Sequence, residues 1–182
     1  YLVTGRVERL KKKYGLTVSW THFPLHPETP DSGLSLEELF KGRGYDIDEM
    51  KQRMSSLMTE EKLPYGNRSH TYNSRLAQEL SKWGESFPEG EELNLKLFEA
   101  YFVEGYNLAE PEVLLDVTQA ARLSREVAEG VIRERLFRDA VNADWRRAHE
   151  FGVTGVPTFV SGNRGLVGAQ PYEALEQLIQ AK

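Results

Sequence analysis

The run from Gly152 to Gly168, Gly-Val-Thr-Gly-Val-Pro-Thr-Phe-Val-Ser-Gly-Asn-Arg-Gly-Leu-Val-Gly, constrains the fold more than any other stretch. A glycine closes a helical pattern, a Gly-Val-Pro turn follows, and Thr158-Phe159-Val160 is rich in β-formers. A Ser-Gly-Asn-Arg-Gly turn then leads to Leu166-Val167. Two short β-runs across such a turn predict a β-hairpin entered through a proline. Pro157 has no N–H to give to a ladder, so it belongs at a strand entrance or edge. It also pushes Val156 toward extended geometry. An ordinary X-Pro bond is cis in only about 5–6% of cases, so these residues alone predict a trans bond. Most of the remaining chain has helical periodicity, so the sheet must come from this hairpin and one earlier run.

That earlier run is Leu16–Phe23, which alternates and is rich in β-formers, and it predicts a strand. Before it, Val3, Val7, Leu10 and Tyr14 share one face of a predicted helix over 2–14, and Gly15 supplies its stop. Lys11-Lys12-Lys13 complements the C-terminal end of that helix. After the run, Pro24, Pro27 and Pro30 break the chain. Ser35-Leu-Glu-Glu is a capping box, and Asp46-Ile-Asp-Glu repeats the device. The second opens a helix with Ile47, Met50, Met54, Leu57 and Met58 inward. The methionines read as adaptable core packing, with a Met-lined peptide groove as the alternative. Further helices follow. Leu76, Ala77, Leu80 and Trp83 mark one, and Leu97, Phe98, Tyr101 and Phe102 another. Pro111 opens a third with Leu114 and Val117 inward, and Ser124 caps a fourth. Val141, Trp145 and Ala148 form the inward face of the last helix before the hairpin. Leu175, Leu178 and Ile179 do the same for the C-terminal helix. Asn73 is placed to cap or anchor a helix start.

Composition excludes several functions. The chain has 182 residues, 40% apolar and 28% charged, as a water-exposed globular domain requires. Its net charge of −5 disfavours nucleic acid or an anionic membrane as partner. No apolar run approaches the roughly 20 residues of a membrane span. No signal peptide is visible, so a cytoplasmic location is expected, although the chain begins with Tyr1 rather than Met. His22, His26, His70 and His149 lack metal-ligand spacing, so no metal is expected. There is no phosphate loop and no Gly-x-Ser-x-Gly elbow. The chain has no cysteine, which rules out a disulfide framework or a thiol mechanism among its own residues.

Gly-Val-Thr-Gly-Val-Pro-Thr-Phe-Val, followed by Gly-Ala-Gln-Pro and an amphipathic helix, closely resembles the end of DsbA-like thioredoxin-fold proteins, and within them the FrnE-like dithiol oxidoreductases. Tyr72 to Leu80, Tyr-Asn-Ser-Arg-Leu-Ala-Gln-Glu-Leu, resembles the same branch. Phe-Pro-Leu-His-Pro resembles a Phe-x-Leu-Asn-Pro segment of that branch, with His26 where Asn is usual. The resemblance implies an α/β thioredoxin-like fold with a large all-helical insertion. Residues 1–34 and 152–182 would form the thioredoxin-like domain, and 35–151 the insertion. It implies a cis bond before Pro157, in a loop that faces the active-site thiols. Val156 and Pro157, with Gly155 and Thr154, are the substrate-binding candidates; Tyr1, His26 and Asn73 are secondary ones.

In the family a strand ending in a Cys-Pro-Trp-Cys motif precedes the first helix, and Tyr1-Leu2 fits the positions just after it. The resemblance therefore implies a strand and a CxxC motif upstream of Tyr1, absent from these 182 residues. Without that strand, 16–23 and the hairpin have no mutual partner. The implied activity is thiol–disulfide exchange on a protein or small-molecule substrate. No cofactor is expected, and glutathione or a dithiol is a candidate substrate. Two alternatives stand beside it: a glutathione-dependent isomerase or transferase of the kappa type, and a redox-inactive peptide-binding module.

Overall fold

Gly15 ends the first helix, α1 (Thr4–Tyr14): its backbone is left-handed at φ 63, and its N–H reaches the Lys11 carbonyl at 2.9 Å. This is the glycine C-terminal stop that the sequence calls for. The computed structural model describes residues 1–180. Beyond α1 the chain forms β1 (Leu34–Ser35), α2 (Leu36–Leu39), α3 (Ile47–Glu60), β2 (His70–Thr71), α4 (Arg75–Gly84) and α5 (Gly90–Phe102). Then come α6 (Pro111–Ala120), α7 (Arg125–Arg133), α8 (Arg138–Glu150), β3 (Thr158–Ser161), β4 (Arg164–Val167) and α9 (Tyr172–Gln180).

The chain divides into two compact units. One contains Tyr1–Leu25 and the residues from Asp144 onward; the other is His26–Ala143. The boundaries expected from sequence, 34/35 and 151/152, lie nine and eight residues later in the chain than these. The proline-rich loop after Leu25 belongs to the second unit, and the last two turns of α8 belong to the first.

In the first unit, β3 and β4 form an antiparallel hairpin that pairs Thr158 with Val167 and Ser161 with Arg164. Its loop is Gly162–Asn163, as the Ser-Gly-Asn-Arg-Gly run predicts. Helix α9 lies against both strands and buries Leu175 and Leu178. Helix α1 buries Val3 and Leu10. The strand expected over Leu16–Phe23 does not form. A strand exists only through a ladder with another strand, and among the described residues the sheets are β1 with β2 and β3 with β4 alone. Alternation alone could not supply one. The His22 N–H donates instead to the Asp144 carboxylate at 3.1 Å.

The second unit is built on α4, α5, α6 and α7 around one core. Leu80, Leu93, Leu114, Ala121 and Ala128 are fully buried there, with Trp83, Leu97 and Val131 nearly so. At about 25 cal/mol per Å² of apolar surface, such side chains dominate the stability of this unit. The sequence-level caps are in place. Ser35 and Glu38 form the reciprocal capping box, Asp46 accepts from the Glu49 N–H at 3.0 Å, and Ser124 accepts from the Val127 N–H at 3.3 Å. Two expectations need correction. The unit is not all-helical, because β1 and β2 pair antiparallel, Leu34 with Thr71 and Ser35 with His70. A ladder of two residues is too short to leave an alternating pattern. On α3, only Met58 is buried, and Met50 is 37% exposed. Four of the five apolar positions lie at the surface or half-buried because that face meets little of the core.

Candidate active site

The site candidates that lie together are those of the first unit. The Val156–Pro157 peptide bond is cis. The Pro157 carbonyl accepts the Gly168 N–H at 2.7 Å, which closes the loop onto the far end of the hairpin. The Thr158 hydroxyl donates to the Gly155 carbonyl at 2.7 Å and fixes the near side. Between these two ties, the Val156 side chain is 46% exposed. Among the described residues nothing bonds the Val156 backbone N–H or carbonyl. Gly155 has nothing closer to a would-be Cβ than Val167 Cγ1 at 4.0 Å. Thr154 lies on the exposed approach to this loop. The result is a short, accessible backbone edge at a strand entrance, the geometry on which an extended polypeptide can add hydrogen bonds.

The start of α1 belongs to the same unit. Tyr1 is half-buried, and its carbonyl accepts the Thr4 N–H at 2.9 Å. The first turn carries no acidic side chain. The positive end of the helix dipole and its unused N–H groups are therefore not neutralised from within the turn. Arg6 adds a cation there, and its Nη1 donates to the Gln170 carbonyl at 2.6 Å and the Ala169 carbonyl at 3.3 Å. The sequence does not single out Arg6. A contact 164 residues away in the chain leaves no local signal.

At its other end α1 is held to α9. Glu176 accepts from Lys13 at 2.7 Å, Tyr14 at 2.8 Å and Tyr172 at 3.1 Å. The Lys13 ammonium, then the Tyr14 hydroxyl, holds the Glu176 carboxyl below the usual carboxylate range. Arg9 stacks over the Tyr172 ring at 4.9 Å. This cluster fixes a helix pair in place and leaves no group free for chemistry.

The two remaining candidates lie in the second unit and behave as structural residues. Asn73 donates to the Thr29 carbonyl at 2.9 Å and accepts the Arg75 N–H at 2.9 Å, so it anchors the start of α4. His26 closes a turn, its carbonyl accepting the Thr29 N–H at 3.2 Å. Burial, and then the Arg43 charge, pushes the His26 imidazole pKa down. Among the described residues no group of three His, Asp or Glu side chains could hold a metal ion. No helix there is long and apolar enough to cross a membrane.

The model of the DSBA-like thioredoxin domain matches residues 1–180. The chain belongs to the DSBA-like thioredoxin domain family. Among solved structures, this DSBA-like chain is similar to a probable DsbA oxidoreductase from Streptomyces coelicolor. The TM-score is 0.90 at 24% identity, covering 99% of this chain and 82% of that one. It is also similar to a 2-hydroxychromene-2-carboxylate isomerase, with a TM-score of 0.77 at 22% identity, covering 99% and 88%. These likenesses establish the thioredoxin-like DsbA fold, mostly helical with a small sheet. A curated relative, the uncharacterized protein YwbO of Bacillus subtilis (strain 168), is 26% identical over 111 residues. That match spans 60% of this chain and 55% of the relative's length.

Proposed function

We propose that this DSBA-like chain works as a thiol–disulfide oxidoreductase or dithiol isomerase of the FrnE-like branch, with a Cys-x-x-Cys motif supplied immediately before Tyr1. One observation carries the reading. A helix start with no acidic side chain in its first turn and an accessible backbone edge at Val156–Pro157 sit in one compact unit, and hydrogen bonds link them through Arg6 and the 168–170 turn. A helix N-terminus stabilises a thiolate and lowers its pKa. An open edge lets an extended disulfide substrate pair beside the sulfur.

In the proposed reaction the first thiolate attacks a substrate disulfide. The sulfur–sulfur bond of the substrate breaks, a mixed disulfide forms, and one substrate thiol leaves. The second cysteine thiolate attacks the mixed disulfide, which releases the other substrate thiol and leaves the enzyme disulfide. Two electrons pass from the dithiol to the substrate. The similarity to a 2-hydroxychromene-2-carboxylate isomerase supports the second reading, a glutathione-dependent isomerase of the kappa type on the same fold.

The test uses the protein with the residues that precede Tyr1. It should reduce insulin in the presence of dithiothreitol, and replacing the first cysteine of the motif with serine should abolish the activity. A serine at that position in the natural protein favours the isomerase reading. No activity with an intact motif overturns the oxidoreductase and leaves a peptide-binding module.

A further inference from the structure

Arg6 stands in the first turn of α1, yet the atoms it reaches are the backbone carbonyls of the turn after β4. That turn is itself closely tied. The Gln170 N–H reaches the Gly168 carbonyl at 2.8 Å, Gln170 Nε2 reaches the Val167 carbonyl at 2.6 Å, and the Gly168 N–H reaches the Pro157 carbonyl at 2.7 Å. The guanidinium therefore acts on Pro157 through one short hydrogen-bonded turn. Hydrogen bonds from a charged donor to a carbonyl are stronger than neutral ones, and a planar guanidinium fixes direction as well as distance.

We propose that Arg6 is a positioning residue that sets the Val156–Pro157 loop against the start of α1, and so governs substrate binding rather than the sulfur chemistry. The proposal rests on the thiol–disulfide reading of this site. A plain staple between α1 and the C-terminal region is the competing account, and the unit contains one for comparison: Lys13 on Glu176, at the other end of α1. Lys13→Ala removes that staple without touching the turn.

The experiment compares Arg6→Gln, Arg6→Lys and Lys13→Ala in the protein carrying the preceding residues. Amide hydrogen exchange is followed at Gly168, with Leu175 of α9 as internal reference, and KM and kcat are measured on a disulfide-bonded peptide. In Arg6→Gln, Gly168 should exchange about tenfold faster relative to Leu175, as loss of a charged hydrogen bond requires. KM should rise several-fold with kcat nearly unchanged. Arg6→Lys keeps a charged donor and should fall between Arg6→Gln and the natural protein on both readouts. Lys13→Ala should leave the Gly168 rate alone. Unchanged exchange at Gly168 in Arg6→Gln, or an equal change in Lys13→Ala, overturns the proposal. An inactive natural protein refutes the reading of the site, and exchange at Gly168 then decides the role of Arg6 by itself.

Discussion

Replacing Glu79 with glutamine should destabilise the helical unit by about 3 kcal/mol at neutral pH. Glu79 is only 3% exposed, and two arginines converge on it. Arg75 Nε donates to Oε1 at 2.6 Å, Arg135 Nη2 to the same oxygen at 2.7 Å, and Arg135 Nε to Oε2 at 2.7 Å. Arg75 continues to the Arg138 carbonyl at 2.7 Å and the Asn142 side chain at 2.8 Å, so the carboxylate ties α4 to the junction of α7 and α8. Arg135 holds a left-handed backbone at φ 54, which the bidentate pair helps to keep. Glutamine preserves the shape but offers one oxygen, so at least one arginine N–H faces an amide N–H. Breaking a buried pair costs about 3–5 kcal/mol, and the 40% exposure of the Arg135 side chain places this case at the lower end. Burial alone would push the Glu79 pKa up; the bonds from Arg135 and Arg75 outweigh it, and the net shift is downward. A carboxylate lowered in the folded state adds stability above its unfolded pKa and loses it as pH falls through the folded value. The gap between natural protein and variant, measured by urea unfolding, should therefore be full at pH 7 and shrink below about pH 4. A gap under about 0.5 kcal/mol at pH 7, or one that widens on acidification, refutes the reasoning.

Three further outcomes are expected. Gly66→Ala should cost about 1–3 kcal/mol or prevent folding, because its Cβ would collide with the Val103 carbonyl oxygen; urea midpoints measure this. Leu114→Ala, at a fully buried core position, should cost about 2–5 kcal/mol by the same assay. Asn73→Ala should cost about 1–2 kcal/mol through lost anchoring at Thr29 and Arg75, with KM for a disulfide peptide unchanged; a raised KM without destabilisation would instead make Asn73 a substrate contact.

What was legible in the sequence, and what was not, follows from the range of the interactions involved. The hairpin at 158–167, the stop at Gly15 and the caps at Ser35, Asp46 and Ser124 each depend on residues within a few positions of one another, and each is in place. Leu16–Phe23 carried an equally clear local pattern and formed no strand, because pairing needs a distant partner that local composition cannot supply. The methionine stripe of α3 failed for a related reason: periodicity marks an apolar face, and only tertiary packing buries it. The charged side chains were least legible. Glu79 stood inside the Tyr72–Leu80 stretch and Arg6 on a basic helix face, and nothing nearby in sequence distinguishes the arginine that holds Gln170 from Lys12, which lies exposed. Beside Lys11–Lys13 at the end of α1, one electrostatic feature open to local reading is a composition: Thr4-Gly5-Arg6-Val7 has no acid. Acidic residues are favoured in a first helical turn, so leaving them out forgoes stability. The thiolate proposed at that end would give the omission a reason, because a carboxylate beside it would raise the thiol pKa that the dipole lowers.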